Sequence, residues 1–301
     1  VARIRVLQGV NRYQGGQVNL GKAPFEYLQN LVNAEILRQQ SPALGIQIQD
    51  DDIERELRRQ FLPTADPGEE TDPGQLEREF RNSYGGYLTA TGLSDADFRV
   101  IVEEQLVQRA LALLLAREIE PIQPHVEVQW IQIPVDGEIL IGDVAQRLLN
   151  EDFTRVAQEL NSASQFADPN GYVGWVPKGA FPDLDDYMYG NEEDEIAALK
   201  PGLVSGPIFT ADAHYLLKVL AAAEDRELNN TMGQKLLQEN VLLWQREALV
   251  AGTTAGTVRM NFNSRLYDWV TNQVFITAPR IDRPTPVPDL IFGVPLPGPA
   301  P

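Results

Sequence analysis

Apolar residues recur at helical spacing over the first third of the chain. From residue 23 to about 119 they fall near the i, i+3, i+4, i+7 pattern, which predicts a series of amphipathic helices. Asp50 to Asp52 place negative charge where a helix N-terminus favours it. Ser94, with Asp97 three residues later, is typical of an N-cap with its capping partner. Residues 63 to 74 collect proline, glycine and acids without periodicity and predict a loop.

The pattern becomes mixed between Pro121 and about Glu224. Apolar residues from Val126 to Trp130 alternate with polar ones, which is typical of a strand. The order of predicted elements is strand, helix, strand, helix, strand, strand. It predicts a small α+β domain with a mixed or antiparallel sheet. The later elements are a helix over Asp143 to Leu160, a strand over Gly171 to Val176, an acidic helix near Glu192 to Leu199, and strands near Ser205 to Ile208 and Tyr215 to Leu220.

Helical spacing returns from Asp225 to Ala251 and from Ser264 to Val274. Isolated amphipathic helices of this size are marginal and need a partner surface. We therefore predict one helical domain made of residues 1–120 and 225–278, with the α+β domain of residues 121–224 inserted into it. Prolines recur at nearly alternate positions in residues 279–301, which predicts an extended tail.

Composition excludes several classes of function. The net charge of −18, without a block of Lys or Arg, argues against binding to nucleic acid. The chain has no cysteine and only two histidines, so thiolate zinc sites, disulfides and most hydrolase templates fail. The acids Asp183, Asp185 and Asp186 lack the glycine and spacing of a calcium loop and predict solvated surface. We expect no metal and no cofactor.

Four separated segments resemble the parvulin-type peptidyl-prolyl isomerase domain. They agree with that family in order and spacing: the helix with Asp152-Phe153 and Val156-Ala157, GYVGWVPKGAF from Gly171, LKPGLVSGPIFT from Leu199, and YLLKVL from Tyr215. The flanking helices, with Gly45 to Ile48 leading into the acids at Asp50, resemble the chaperone region of SurA and PrsA-type foldases. This resemblance implies a helical chaperone-like domain around a parvulin-like α+β domain with a four-stranded, mostly antiparallel sheet.

The resemblance also implies a site. In this family a leucine, a methionine and a phenylalanine form the proline pocket, and Val173, Phe181 and Leu184 stand at or near those positions here. We also expect Trp175 beside the substrate. The reaction rotates an X-Pro amide through a barrier of ~18–20 kcal/mol without breaking a covalent bond.

The polar positions of the family's site differ in this chain. Trp130 and Tyr215 occupy the two histidine positions, and Ala163 or Ser164 the position of the acid or thiol. Among these we predict Trp130, Tyr215 and Ser164 as the catalytic set. Adjacent strand residues face opposite ways, so His214 should not substitute for Tyr215.

These features predict an extracytoplasmic folding factor that binds unfolded or newly exported polypeptide containing X-Pro bonds. By resemblance, a leader or membrane anchor is expected before residue 1. Whether the domain isomerises prolyl bonds or only binds them stays open, because both family histidines are replaced. A further alternative is an assembly scaffold whose pocket holds its own proline-rich tail or a fixed partner. The oligomeric state is not indicated.

Overall fold

A computed structural model describes residues 23–62, 72–135, 137–160, 164–211, 213–259 and 263–277. The predicted proline-rich tail, most of the predicted loop at residues 63–74 and Ala163 lie outside these ranges. The elements are α1 (Ala23–Gln40), α2 (Asp50–Phe61), α3 (Pro73–Thr91), α4 (Asp95–Ala116), β1 (Ile122–Pro134), α5 (Ile141–Arg147), α6 (Phe153–Glu159), β2 (Tyr172–Pro177), α7 (Pro182–Tyr189), β3 (Ile208–Phe209), β4 (Ala213–Glu227), α8 (Asn230–Thr254) and α9 (Ser264–Thr277). Within the ranges described, no helix is both long and apolar enough to cross a membrane.

The chain divides into two compact units. The first contains the described residues up to Leu111 and those from Gln245 onward, and the second comprises Ala112–Trp244. In the first unit α9 contacts α1, and the Asn33 side chain donates a hydrogen bond of 3.0 Å to the side chain of Gln245. The insertion of one domain into the other, with the boundaries given above, stays a prediction.

Helix starts in the first unit follow their capping residues. The amide of Asp97 donates to the Ser94 hydroxyl at 3.1 Å, and that hydroxyl donates to the Asp97 carboxylate at 2.8 Å, so the predicted cap of α4 is confirmed. Helix α3 lies in the region predicted as helical, although its bounds were not predicted, and it starts after Asp72, whose carboxylate accepts the Gly74 amide at 3.2 Å. These helices bury a shared core of Ile53, Leu57, Phe80, Tyr84, Leu93, Phe98 and Val102.

The second unit is built on a four-stranded antiparallel sheet of order β2-β1-β4-β3. The α+β prediction is therefore confirmed. Side chains alternate across β1 and β4, so the sheet carries a core on each face. The front core comprises Val126, Val128, Trp130, Ala167, Val176, Ala180, Leu184, Met188, Ile208, Leu217, Val219 and Met232. The rear core comprises Ile131, Ile133, Ile141, Val144, Phe153, Val156, Ala157 and Leu216.

Three sequence predictions in this unit are wrong. The helix predicted over Asp143 to Leu160 is two short helices, α5 and α6, because the Asp152 side chain caps a new start by accepting the Arg155 amide at 3.1 Å. The segment from Glu192 to Leu199 is not helical: residues 192–195 form a tight turn closed by the Asn191–Ile196 bridge, and residues 197–199 follow it outside any helix or strand. Residues 225 to 227, predicted as helix, continue β4 by pairing with β1, and α8 starts only at Asn230.

Candidate functional site

Trp130 lies on β1, one of the two inner strands of the sheet. It pairs with Leu217 on β4, and its backbone amide donates to the carbonyl oxygen of Gly171 at 2.8 Å. The Trp130 side chain is only 1% exposed. Its indole nitrogen is buried and has no hydrogen-bond partner within the described part of the chain. An unpaired buried donor is uncommon in folded proteins and usually has a structural or functional reason.

Three further aromatic rings pack around the Trp130 indole or next to it. The Phe181 ring meets it edge to face at 4.9 Å between centroids, and the Tyr215 ring does so at 5.7 Å. The Phe166 ring packs edge to face on Phe181 at 5.2 Å. We call Trp130, Phe166, Phe181 and Tyr215 the aromatic group. Val173 packs against the same front core and Leu184 is part of it, so the structure brings together five of the seven predicted site residues: Trp130, Val173, Phe181, Leu184 and Tyr215.

Leu184 is the fifth of these residues, and the other two, Ser164 and Trp175, lie outside the front core. Leu184 is 1% exposed on α7 and lies within the front core. The Ser164 hydroxyl accepts the amides of Phe166 and Ala167 at 3.3 and 3.1 Å, so it orders the turn that carries the Phe166 ring. Trp175 pairs with Glu127 in the sheet and stacks under the Arg226 guanidinium at 4.1 Å, and it is not part of the front core.

The two histidines lie away from the aromatic group. His214 pairs with Ile133, a rear-core residue, while its neighbour Tyr215 faces Trp130. The expectation that His214 and Tyr215 face opposite sides of β4 is confirmed. His125 lies within β1 and is 1% exposed, with its Nδ1 atom 2.7 Å from the carbonyl oxygen of Gln123.

Two elements beyond the sheet add charge near Phe181. Lys235 of α8 places its ammonium 5.1 Å from the centre of the Phe181 ring and pairs with Glu239. Asp185 of α7 accepts the backbone amide of Gly179 at 2.8 Å, and burial raises the pKa of its carboxyl to about 6. The prediction of solvated surface for this acid is wrong, because α7 turns Asp185 inward toward the β2–α7 turn.

Phe166 and Asp185 were not identified from the sequence. Phe166 is an aromatic residue within a polar loop, and an aromatic in such a setting is a usable signal. Asp185 stands among other acids in DLDD, and no local pattern distinguishes the acid with a buried carboxylate oxygen from its neighbours. The aromatic group offers the partly exposed rings of Phe166, Phe181 and Tyr215 as apolar surface, whereas the Trp130 indole N–H is buried beneath them.

No protein-family model matches the chain, and no curated protein does. Solved structures of PrsA and SurA-like proteins are similar to it. PrsA of Bacillus anthracis, described as a peptidylprolyl isomerase, is 17% identical with a TM-score of 0.46, covering 78% of this chain and 100% of that one. The foldase PrsA of Streptococcus pneumoniae is 13% identical with a TM-score of 0.35, covering 85% and 91%.

A third similar structure comes from Campylobacter jejuni, where PEB4 and the periplasmic protein Cj1289 are described as SurA-like chaperones. It is 10% identical with a TM-score of 0.27, covering 73% of this chain and 97% of that one. Identities of 10–17% and TM-scores of 0.27–0.46 carry no argument about the chemistry of this chain. The chemistry of the site has to be argued from its own residues.

A second apolar surface lies in the first unit, between α1 and α4. Ala34, Leu37, Val100 and Val107 form its apolar lining, and Arg38, Glu103, Glu104 and Gln108 complete it. Arg38 is already held by Glu35 through two hydrogen bonds of 2.8 and 2.6 Å. The crevice therefore combines apolar surface with a predominantly acidic rim.

Proposed function

We propose that this chain is an extracytoplasmic folding factor that binds unfolded polypeptide, and that its second unit recognises X-Pro segments at the aromatic group. The observation that supports this most directly is the packing of Phe181 and Tyr215 edge to face on Trp130, with Val173 alongside. Both Phe181 and Tyr215 remain partly exposed, so a ligand could reach them.

A prolyl ring is apolar and rigid, so aromatic faces and edges are a suitable surface for it. Isomerisation of the preceding amide requires that the twisted amide be bound more tightly than either planar form. At the positions of the two family histidines this chain has Trp130, whose indole nitrogen is buried, and Tyr215, so the polar groups that would favour the twisted amide are largely replaced by ring surface. We infer that binding dominates and that any acceleration of cis/trans exchange is slight.

The negative charge of this chain favours clients that carry basic segments. The chain carries a net charge of −18, and the crevice in the first unit has Glu103 and Glu104 at its rim. Opposite charge would steer segments rich in Lys and Arg toward it. Export of the chain across a membrane, and an anchor before residue 1, are part of the same proposal by resemblance to PrsA and SurA-type foldases.

Replacement of Phe181 by alanine tests the proposed site. Binding of an acetylated, amidated Ala-Ala-Pro-Phe peptide is measured by calorimetry, and cis/trans exchange of an Ala-Pro peptide by NMR. We expect Phe181→Ala to weaken peptide binding about 5- to 30-fold, as loss of a contact worth roughly 1–2 kcal/mol would do. Any acceleration of exchange should disappear with it.

Phe209→Ala is the matched control, because Phe209 is a phenylalanine of the same unit that is 68% exposed and outside the aromatic group. It should leave both measurements unchanged. Equal affinity of the Phe181→Ala variant and the parent, with both folded by circular dichroism, would refute the proposed site.

A further inference from the structure

The carboxylate of Asp185 contacts the turn that carries Phe181. One oxygen, Oδ2, accepts the backbone amide of Gly179 at 2.8 Å. The other oxygen, Oδ1, is buried and has no hydrogen-bond partner in the described part of the chain. A partly satisfied buried carboxylate is costly in its ionised form, so this arrangement is not explained by stability alone.

The turn held by Asp185 has little freedom on its other sides. Gly179 has a φ of +90°, and an added Cβ there would lie 3.0 Å from a methyl group of Leu236 on α8. Ala180 is fully buried, and its amide donates to the carbonyl of Pro177 at 3.3 Å. The turn is therefore held between α8 on one side and the Asp185 carboxylate on the other.

Phe181 follows this turn directly and is the N-cap residue of α7. Its carbonyl accepts the Leu184 amide at 2.8 Å, while its ring packs on Trp130. Two peptide units separate Gly179 from Phe181, so a change in the turn moves the base of the Phe181 side chain. The position of that ring in the aromatic group thus depends on the bond between Asp185 and Gly179.

Charged groups on every adjoining element bear on Asp185. Lys178, within the turn, favours the ionised carboxylate, and Asp186 on the same helix opposes it. Tyr189, one turn along α7, also interacts with Asp185, and its hydroxyl lies 2.6 Å from the Val176 carbonyl of β2.

On α8, Lys235 and Glu239 pair with each other beside Phe181. On β1, His125 precedes Val126 of the front core and therefore faces the other side of the sheet.

We propose that Asp185 is a positioning residue for the aromatic group: its ionised carboxylate holds the Gly179 turn and Phe181 in the binding geometry, and its protonation in mildly acidic solution weakens client binding. This inference rests on the proposed function, because it assigns a regulation to the same site. The physical reason is that an ionised carboxylate is a much stronger hydrogen-bond acceptor than a neutral acid. The raised pKa of about 6 brings the change into a range that a cell envelope can experience.

The first test reads the turn itself and needs no ligand. The ¹⁵N-labelled full chain is titrated from pH 8 to pH 5, and the shift and hydrogen-exchange protection of the Gly179 amide are followed by NMR. We expect a single step near pH 6, with protection corrected for the intrinsic rate falling toward low pH. Asp183→Asn, which removes an exposed acid from the first turn of the same helix, should retain the step. A Gly179 amide without a step near pH 6 would overturn the proposal.

The second test reads binding of the same acetylated, amidated Ala-Ala-Pro-Phe peptide, which has no titrating group in this range. If only the ionised form binds, the dissociation constant of the parent rises up to about tenfold from pH 8 to pH 5. Asp185→Asn should bind with a nearly constant, weakened affinity across the range, whereas Asp183→Asn should follow the parent. Equal pH dependence in Asp185→Asn and the parent would contradict the proposal. If the Asp185→Asn variant does not fold, the titration of the Gly179 amide in the parent protein still tests whether Asp185 holds the turn.

The two proposals fail in different ways. A Gly179 step without peptide binding at any pH would refute the proposed function and leave Asp185 as the group that holds the turn. Peptide binding that is lost in Phe181→Ala but does not change with pH would uphold the proposed function and overturn the role of Asp185.

Discussion

Replacing Asp185 by asparagine should raise the free energy of unfolding above that of the parent protein at pH 8. At pH 5 the gain over the parent should be smaller. Burial raises the pKa of Asp185 to about 6 in the folded state, above the value near 4 expected in an unfolded chain. The folded state therefore binds this proton more tightly than the unfolded state does. Its linked contribution to stability is favourable at low pH and is lost as pH rises from about 4 to about 6.

The magnitude follows from the two pKa values. A difference of about two pH units, at about 1.4 kcal/mol per unit, makes the ionised carboxylate cost up to ~3 kcal/mol above pH 6. When the pH is lowered from 8 to 5, the parent protein regains about half of this unfolding free energy, ~1.4 kcal/mol, because Asp185 becomes protonated. Measurements below pH 5 are avoided, because the sequence pI is near 4.5 and solubility is lowest there.

The assay is urea unfolding of the full chain at both pH values, followed by tryptophan fluorescence and circular dichroism. The difference in unfolding free energy between Asp185→Asn and the parent should be about 1.4 kcal/mol more favourable to the variant at pH 8 than at pH 5. This double difference cancels the titration of the remaining acids. Asp183→Asn removes the same charge from an exposed position and controls for net charge. A double difference of zero, or one of opposite sign, would show that Asp185 is not a buried, destabilised carboxylate.

Two further predictions concern residues outside the aromatic group. Gly171→Ala should lower the free energy of unfolding, measured by thermal denaturation, by more than ~2 kcal/mol. Gly171 has a φ of +83°, and an added Cβ would strike the backbone carbonyl on β1. At Gly142 an added Cβ meets open space, so Gly142→Ala should be tolerated. Glu56→Gln should lower the free energy of unfolding in urea at pH 7 by about 1–3 kcal/mol. The Glu56 carboxylate is only 5% exposed and accepts hydrogen bonds from Arg59 and Arg109, which lower its pKa. Stability from Glu56 is present above the ordinary carboxylate range and lost as pH falls, so the cost should shrink in acid; a cost that grows in acid would contradict this.

Local patterns predicted the elements whose signals are local. Ser94 and Asp97 mark a helix start through two side chains three residues apart, and the alternation from Val126 to Trp130 marks a strand through its own pleat. The bounds of helix α3 were not predicted, since Gly85 and Gly86 interrupt its pattern, and its core contacts with other helices are what stabilise it. The same reasoning explains the end of β4, where pairing with β1 overrides the helical spacing of residues 225 to 227.

The sequence by itself determined the α+β class, the strand faces, and the segments that contribute Trp130, Phe181 and Tyr215. Their meeting at 4.9 and 5.7 Å, the addition of Phe166, and the separation of Trp175 were decided by the tertiary structure. So was the burial of one acid of DLDD beside Gly179. The reason is that periodicity specifies which face of an element is apolar, whereas the proximity of two side chains depends on the packing of elements far apart in the chain.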